Sequence, residues 1–587
     1  MKFSEFAKYL QQLNSTTLRN EIVKTLSELF KKSSEKDIKI ICYLLLGELA
    51  PSYQGIELNI AEKLMMQVIA KSFEVDINKV KSLFKKTGDL GDVAFTLSKT
   101  KENLISNLSI EDVYNKLLAI TKQTGEGSQE KKITEMSDLL KQLDSLSIKF
   151  VIRIPIGKLR LGFSEATILD ALSVLVCGDK SCRSIIEDAF NVTADIGGIA
   201  FIVKTKGING LKNIEAVPGI PIRPSLAERV PTVEEILQKV GKPAAVEPKF
   251  DGFRIGIHLW HHNKIKEVKL FSRNGENMTF MFPDIVAAVK KLNVDSIILD
   301  GEAMGFNPKT NKFVSFQETV QRKRKYNILE MAQKLPLKVI VFDILYLNGK
   351  SLLNEKFVER RKILEKIFKN FKQINLVLNQ QILSSDPNEI IKEREKVLNE
   401  GLEGLVIKNL EAPYQAGKRG FHWIKFKASA EALQKARSGG GGLLDTVDCL
   451  VMAAYSGKGK RAQFGFGGFL LGVRQGENYY TISKLGSGLS EEQFKEINKI
   501  IKPLIIDDKP ANYVVIKDEK PDVWLEPRIV LEILADEITL SPKHTAGSQE
   551  GRGFSLRFPR LVRFRTDKNP EDITTVAEIK KLYKTQK

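Results

Sequence analysis

The stretch Glu247-Pro248-Lys249-Phe250-Asp251-Gly252-Phe253-Arg254 sets one lysine among carboxylates and an arginine at the mouth of a strand. Residues 244–246 lead in with apolar, β-prone side chains, residues 255–260 alternate as a strand does, and Asp251-Gly252 is the tight turn between them. Lys249 reads as a covalent nucleophile. A lysine amine ordinarily titrates at about 10.4, so it attacks phosphorus only where burial or cationic neighbours hold part of it deprotonated. Arg254, and basic residues arriving from later in the chain, would supply that. Taken alone, K-x-D-G also describes a solvated hairpin lysine.

The stretches that follow decide between the two. Ser272-Arg273-Asn274-Gly275-Glu276, Asp300-Gly301-Glu302, Phe342-Asp343, Glu403-Gly404-Leu405-Val406-Ile407-Lys408 and Trp423-Ile424-Lys425-Phe426-Lys427 come in that order. In content and order the set resembles the covalent nucleotidyltransferases. The resemblance implies a nucleotide carried on Lys249, which for the ATP-dependent ligases among them is AMP from ATP. It implies that Glu247, Arg254, Arg273 and Arg419 contact the nucleotide, Arg273 near the ribose or the nick phosphate. By the same resemblance Phe342 stacks on adenine, Glu302 meets the ribose or a metal, and Glu403 is a metal ligand. Mg2+ suits that role, being held by one or two carboxylates plus phosphate oxygens. Lys425 and Lys427 alternate with Ile424 and Phe426, so both ammonium groups leave one strand face and repel unless an anion sits between them. The resemblance supplies the nucleotide α-phosphate.

The chain has 587 residues, more than one core organises, and 91 Lys plus Arg against 72 Asp plus Glu give +19. That balance points to a polyanion, nucleic acid before anionic lipid. Cys42, Cys177, Cys182 and Cys449 make no C-x-x-C pair and no disulfide framework, so free buried thiols and no zinc site are expected. The first twenty-two residues are an amphipathic helical pattern without an apolar leader core, and no run reaches about 18 apolar residues. A soluble, cytoplasmic protein with no membrane partner, acting as a monomer, is expected.

Residues 1–216 are helical in pattern throughout. Within them Arg153, Lys158 and Arg160 surround Gly157 and Gly162 just before a helix that starts near Ser164, an arrangement suited to phosphates. The segment resembles the minor-groove-facing loop of the DNA-binding domain in archaeal and eukaryotic DNA ligases. The proline-rich residues 218–227 form the boundary into residues 217–437, where β-prone segments alternate with helices as in an α+β domain. Ser438 and four glycines make a flexible linker. Residues 438–587 then read as short strands with glycine turns, a β-barrel of the oligonucleotide-binding (OB-fold) type. There Leu556-Arg557-Phe558-Pro559-Arg560 matches the last ligase motif, which implies Arg557 on the β- and γ-phosphates of ATP. The basic residues 321–325 read as a solvated face beside DNA.

Over essentially its whole length the sequence resembles the ATP-dependent DNA ligases of the archaeal and eukaryotic replicative type. That implies a multidomain protein: an all-α DNA-binding domain, an adenylation domain and an OB-fold. It implies sealing of 5′-phosphate/3′-hydroxyl nicks in duplex DNA; a sliding-clamp partner rests on the resemblance alone. An RNA ligase or capping-type guanylyltransferase would share Lys249 and the later motifs but not the helical domain. A non-enzymatic nucleic-acid-binding protein would have no use for Lys249, Glu403, Lys425 and Lys427. Bacterial NAD-dependent ligases carry a four-cysteine zinc module that is absent here.

Overall fold

The computed structural model describes the chain except residues 17, 100–105, 158, 160, 162, 231, 308, 309, 311, 315, 325, 428–445, 458–460, 462, 463, 487, 549, 550, 567, 586 and 587. The expected linker at 438–442 and the expected DNA-facing Lys158 and Arg160 therefore lie outside the described residues. Two compact units form, Met1–Lys427 and Ala428–Lys587.

The first unit begins with helices from Phe3–Asn14 to Ile196–Lys206. Their starts are set locally: Ser34, Asp76, Asp89, Ser109, Asp144 and Asp195 each accept a hydrogen bond from a backbone N–H of the first turn. Apolar stripes of these helices share one core that includes Phe3, Phe6, Leu26, Phe30, Ile41, Phe150 and Leu172. Cys177 and Cys182 correct the free-thiol expectation: they are disulfide-bonded, Cα atoms 6.4 Å apart, across the turn between helices Glu165–Cys177 and Arg183–Thr193. Cys42 and Cys449 are free and buried. Spacing alone could not show that this turn returns the chain on itself.

Among the described residues eleven strands follow: β1 Leu226–Arg229, β2 Ala244–Lys249, β3 Phe253–His262, β4 Ile265–Ser272, β5 Ile297–Gly305, β6 Leu337–Leu347, β7 Lys350–Ser351, β8 Leu376–Leu378, β9 Ile382–Ser384, β10 Gly404–Lys408 and β11 Arg419–Lys427. They build two sheets. One has the order β1-β11-β10-β2-β9; the other runs β4-β3-β5-β6-β7 with β8 added on β6. Each sheet buries one face against helices. Val246, Leu405, Ile407, Ile424 and Phe426 form the first core, and Ile255, Ile257, Leu299, Val339 and Val341 belong to the second. A smaller cluster of Ile298, Leu345, Tyr414 and Trp423, with Phe342 and Val406 at its margin, joins the sheets on their remaining faces. The polar residues of interest border that cluster.

One residue of the basic run differs from expectation, while Lys323 is exposed as expected. Arg322 is 1 % exposed and its guanidinium lies 2.6 Å from Asp284, in the turn after helix Phe316–Val320.

The second unit is strand-rich. Its largest sheet holds eight strands around the long antiparallel trio Val447–Ser456, Phe466–Gln475 and Asn478–Leu485, over a core that includes Phe469, Leu471, Ile482 and Phe494. Among the described residues no helix is long and apolar enough to cross a membrane.

Candidate active site

Strand register places the motif residues. Across β2, β10 and β11, Lys249 stands opposite Gly404 and Gly404 opposite Lys427; Glu247 opposes Val406, which opposes Lys425; Ala245 opposes Lys408, which opposes Trp423. Because side chains alternate with period two, Glu247, Lys249, Lys408, Trp423 and Lys425 share one face, while Ile424 and Phe426 enter the core behind it. Lys427 is placed only by its backbone. From the other sheet, β3 and β5 set Arg254 opposite Glu302 and Gly256 opposite Asp300.

These two faces bring unlike charges together. The Lys249 ammonium is ion-paired with the Glu403 carboxylate, both side chains partly exposed, and the Glu403 backbone N–H donates to the Lys249 carbonyl at 3.0 Å. Glu302 has its carboxyl pushed up to about 7 by burial; Lys249 and Arg254 oppose the shift, and Asp300 and Glu403 add to it. Arg254 is committed to structure: its Nε donates to Asp300 Oδ1 at 2.9 Å, and Asp300 Oδ2 also accepts from the Tyr414 hydroxyl at 2.6 Å. The paired carboxylate holds the Arg254 guanidinium above its ordinary range despite burial.

Phe342 lies within β6, at an irregular register against β5. Its ring is half-buried and meets Trp423 edge-on, centroids 5.8 Å apart, with the Arg254 guanidinium 5.4 Å from each ring. Arg419 is exposed at the start of β11. Arg273 is exposed too, and lines a water-sized cavity of about 20 Å³ with Arg254, His258 and Asp300. Arg557 belongs to the second unit, where its Nη1 lies 2.8 Å from Glu537.

Arg153 departs from its expected position. It is 2 % exposed, with its guanidinium 3.1 Å from Asp89 and 3.4 Å from Asp92. It sits on the inward side of helix Ser145–Arg153, so its charge ties helices together inside the core.

Glu247, expected at the nucleotide, instead turns its carboxylate into a buried network beneath the site, to whose other members sequence reasoning assigned no role. Glu247 accepts from Lys408 Nζ at 2.8 Å, Gln381 Nε2 at 2.9 Å and Asn379 Nδ2 at 3.2 Å. Next to Phe342, Asp343 is clasped by Arg360 at 2.8 and 2.9 Å, both side chains fully buried. The available signal was Lys408, a charge closing the apolar run of β10.

For metal, the donors at hand are Glu403 and Glu302. Burial holds the Glu302 carboxyl high, Glu403 adding to the shift, and a divalent cation would favour the charged form of both. The donor set fits magnesium.

Comparison with known proteins agrees along the chain. Family models described as DNA ligase N terminus, ATP dependent DNA ligase domain and ATP dependent DNA ligase C terminal region match residues 2–173, 224–427 and 462–568. A probable DNA ligase of Dictyoglomus turgidum is 43% identical over 592 residues, spanning 100% of this chain and 98% of the relative. A DNA ligase of Nitrosopumilus maritimus is 37% identical over 597 residues, again 100% and 98%. A solved structure named Pmar-Lig_PreS3 shares the fold with TM-score 0.55 and 19% identity, covering 95% of this chain and 99% of that one.

Proposed function

The chain belongs to the ATP-dependent DNA ligase family, and on that premise we propose how its own residues join a nick. The observation that carries the reading is Lys249 facing Glu403 on one sheet, with Glu302, Arg254 and Phe342 brought up by the other.

Lys249 Nζ gives up a proton, Glu403 being the carboxylate that faces it, and attacks the α-phosphorus of ATP. A P–N bond forms, the bond to the bridging oxygen breaks, and pyrophosphate leaves. An oxygen of the 5′-phosphate at the nick then takes the adenylate from Lys249. The 3′-hydroxyl attacks that activated phosphate, loses its proton, and expels AMP. Charge stays on phosphoryl oxygens throughout, so positioning and cations supply the catalysis. Lys425 and Lys427 are read at the α-phosphate, Phe342 stacks on adenine, and Arg273 and Arg419 complete the nucleotide contacts, while the buried Glu247 carboxylate braces the strand that carries Lys249. Glu403 and Glu302 would hold Mg2+, which when bound neutralises phosphoryl charge. Arg557 serves the first step from the second unit, read as an OB-fold. The partition is 1–216 for DNA binding, 217–437 for adenylation and 438–587 for the OB-fold.

The test uses ATP labelled at the α-phosphate with magnesium, comparing wild type with Lys249→Ala on a denaturing gel, followed by nicked duplex. Label that requires Lys249 and is discharged as nicks close is the expected result. No label with ATP, or label that nicked DNA leaves in place, sinks the reading in favour of a guanylyltransferase or a binding protein.

A further inference from the structure

We infer that Asp188 and Asn191, on helix Arg183–Thr193, are positioning residues for the nucleotide, seating the 415–420 loop from which β11 starts. The helical region would then help set how tightly the site holds ATP. The inference rests on reading Arg419 and Lys425 of β11 as part of the nucleotide site.

Three independent contacts make the seat. The first is electrostatic: Lys418 Nζ is ion-paired with Asp188 across the two regions. The second is steric. Gly417 has φ +66°, a left-handed backbone that other residues adopt with strain, and a Cβ there would overlap the Asn191 side-chain amide. Glycine is demanded twice at this position, so the Asn191 amide and the loop backbone are in direct apposition. The third is a peptide relay. The Arg223 N–H donates to the Asn191 carbonyl at 2.8 Å, and the Arg223 carbonyl accepts from the Gly417 N–H at 3.0 Å. Arg223 is itself anchored to the helical region. Its guanidinium meets both Glu165 oxygens at 2.6 Å and lies 4.3 Å from the Phe190 ring centroid.

The loop in turn is continuous with the site. Leu226 N–H donates to the Lys418 carbonyl at 3.0 Å, and β1 pairs with β11 from Leu226 opposite Arg419. Val192 and Ala416 pack at the margin of the apolar cluster that contains Trp423 and Phe342. Packed side chains thus run from the last turn of helix Arg183–Thr193 to the ring read as the adenine platform.

Coupling between binding and docking is reciprocal. If this docking stabilises the ATP-binding arrangement, ATP must stabilise the docking. The full-length protein carrying Asp188→Ala and Asn191→Ala together is compared with wild type in Lys249 labelling over a range of ATP. Amide exchange across residues 183–193 is followed with and without ATP, in the absence of magnesium. The expected result is a KM for ATP raised about tenfold, within the usual coupling range, with kcat nearly unchanged. ATP should slow exchange of the helix in wild type but not in the variant. Asp188→Glu with Asn191 intact should stay close to wild type, and Gly417→Ala should reproduce the KM rise.

A wild type labelled by ATP whose helix exchange ignores ATP overturns the inference alone, as does an unchanged KM in the double variant. A wild type that takes no label sinks the nucleotide reading and the inference with it.

Discussion

Lys408 Nζ lies 2.8 Å from Glu247 Oε2, and both side chains are 1 % exposed. The same ammonium donates to the Phe342 carbonyl at 3.1 Å and lies 4.5 to 5.0 Å from the Phe342, Phe357 and Trp423 ring centroids. It therefore bridges β2 and β10 of one sheet to β6 of the other, under the site. Burial lowers its pKa; Glu247 and Asp343 oppose the shift.

Removing that cation should be costly. Lys408→Met leaves Glu247 buried without its close counter-charge, a loss of about 3–5 kcal/mol when one partner of a buried pair is deleted. The first thermal transition should fall sharply, and Lys408→Met with Glu247→Gln should regain much of it, since the close ion pair is then removed from both sides and only the 3.8 Å contact of Glu247 with Arg361 is lost. An unchanged melt for the single variant would mean that Asn379 and Gln381 suffice to hold the carboxylate.

Glu302 makes stability depend on pH. Its carboxyl is raised to about 7 in the folded chain from an ordinary 4.5. Between those values the folded state holds a proton that the unfolded state has released, so this group's contribution declines as pH rises through the window. Glu302→Gln removes the dependence. The melting midpoint of the variant minus that of wild type should grow from pH 5 to pH 8. A difference that stays flat across this range would contradict the assignment.

The Cys177–Cys182 bond closes a short loop between two helices of the helical region. On the chain-entropy account a loop of this size is worth about 2 kcal/mol. Reductant should lower the stability of wild type by that order and leave a Cys177→Ser, Cys182→Ser double variant unmoved. Equal response of both proteins to reductant would place the effect elsewhere.

Much of the site was legible because strand chemistry is local. Alternation alone put Lys425 on one face with Ile424 and Phe426 on the other, and the structure packs them so. The strands of the α+β region and the helices before it were likewise readable from periodicity. Arg153 was not: an arginine beside glycines reads as exposed, and its real partners, Asp89 and Asp92, lie about sixty residues earlier in the chain. Arg322 failed in the same way, its partner Asp284 lying on another element.

By itself the sequence determined the order of the motifs, the type of each element and the face on which each strand residue stands, because period, capping and turn chemistry act over a few residues. Tertiary structure alone decided which charges meet. Lys408 with Glu247, Arg254 with Asp300, Lys418 with Asp188 and Cys177 with Cys182 are pairings set by how sheets and helices close on one another. In a chain with 91 basic and 72 acidic residues, a charge offers many partners, and only distance and burial choose among them.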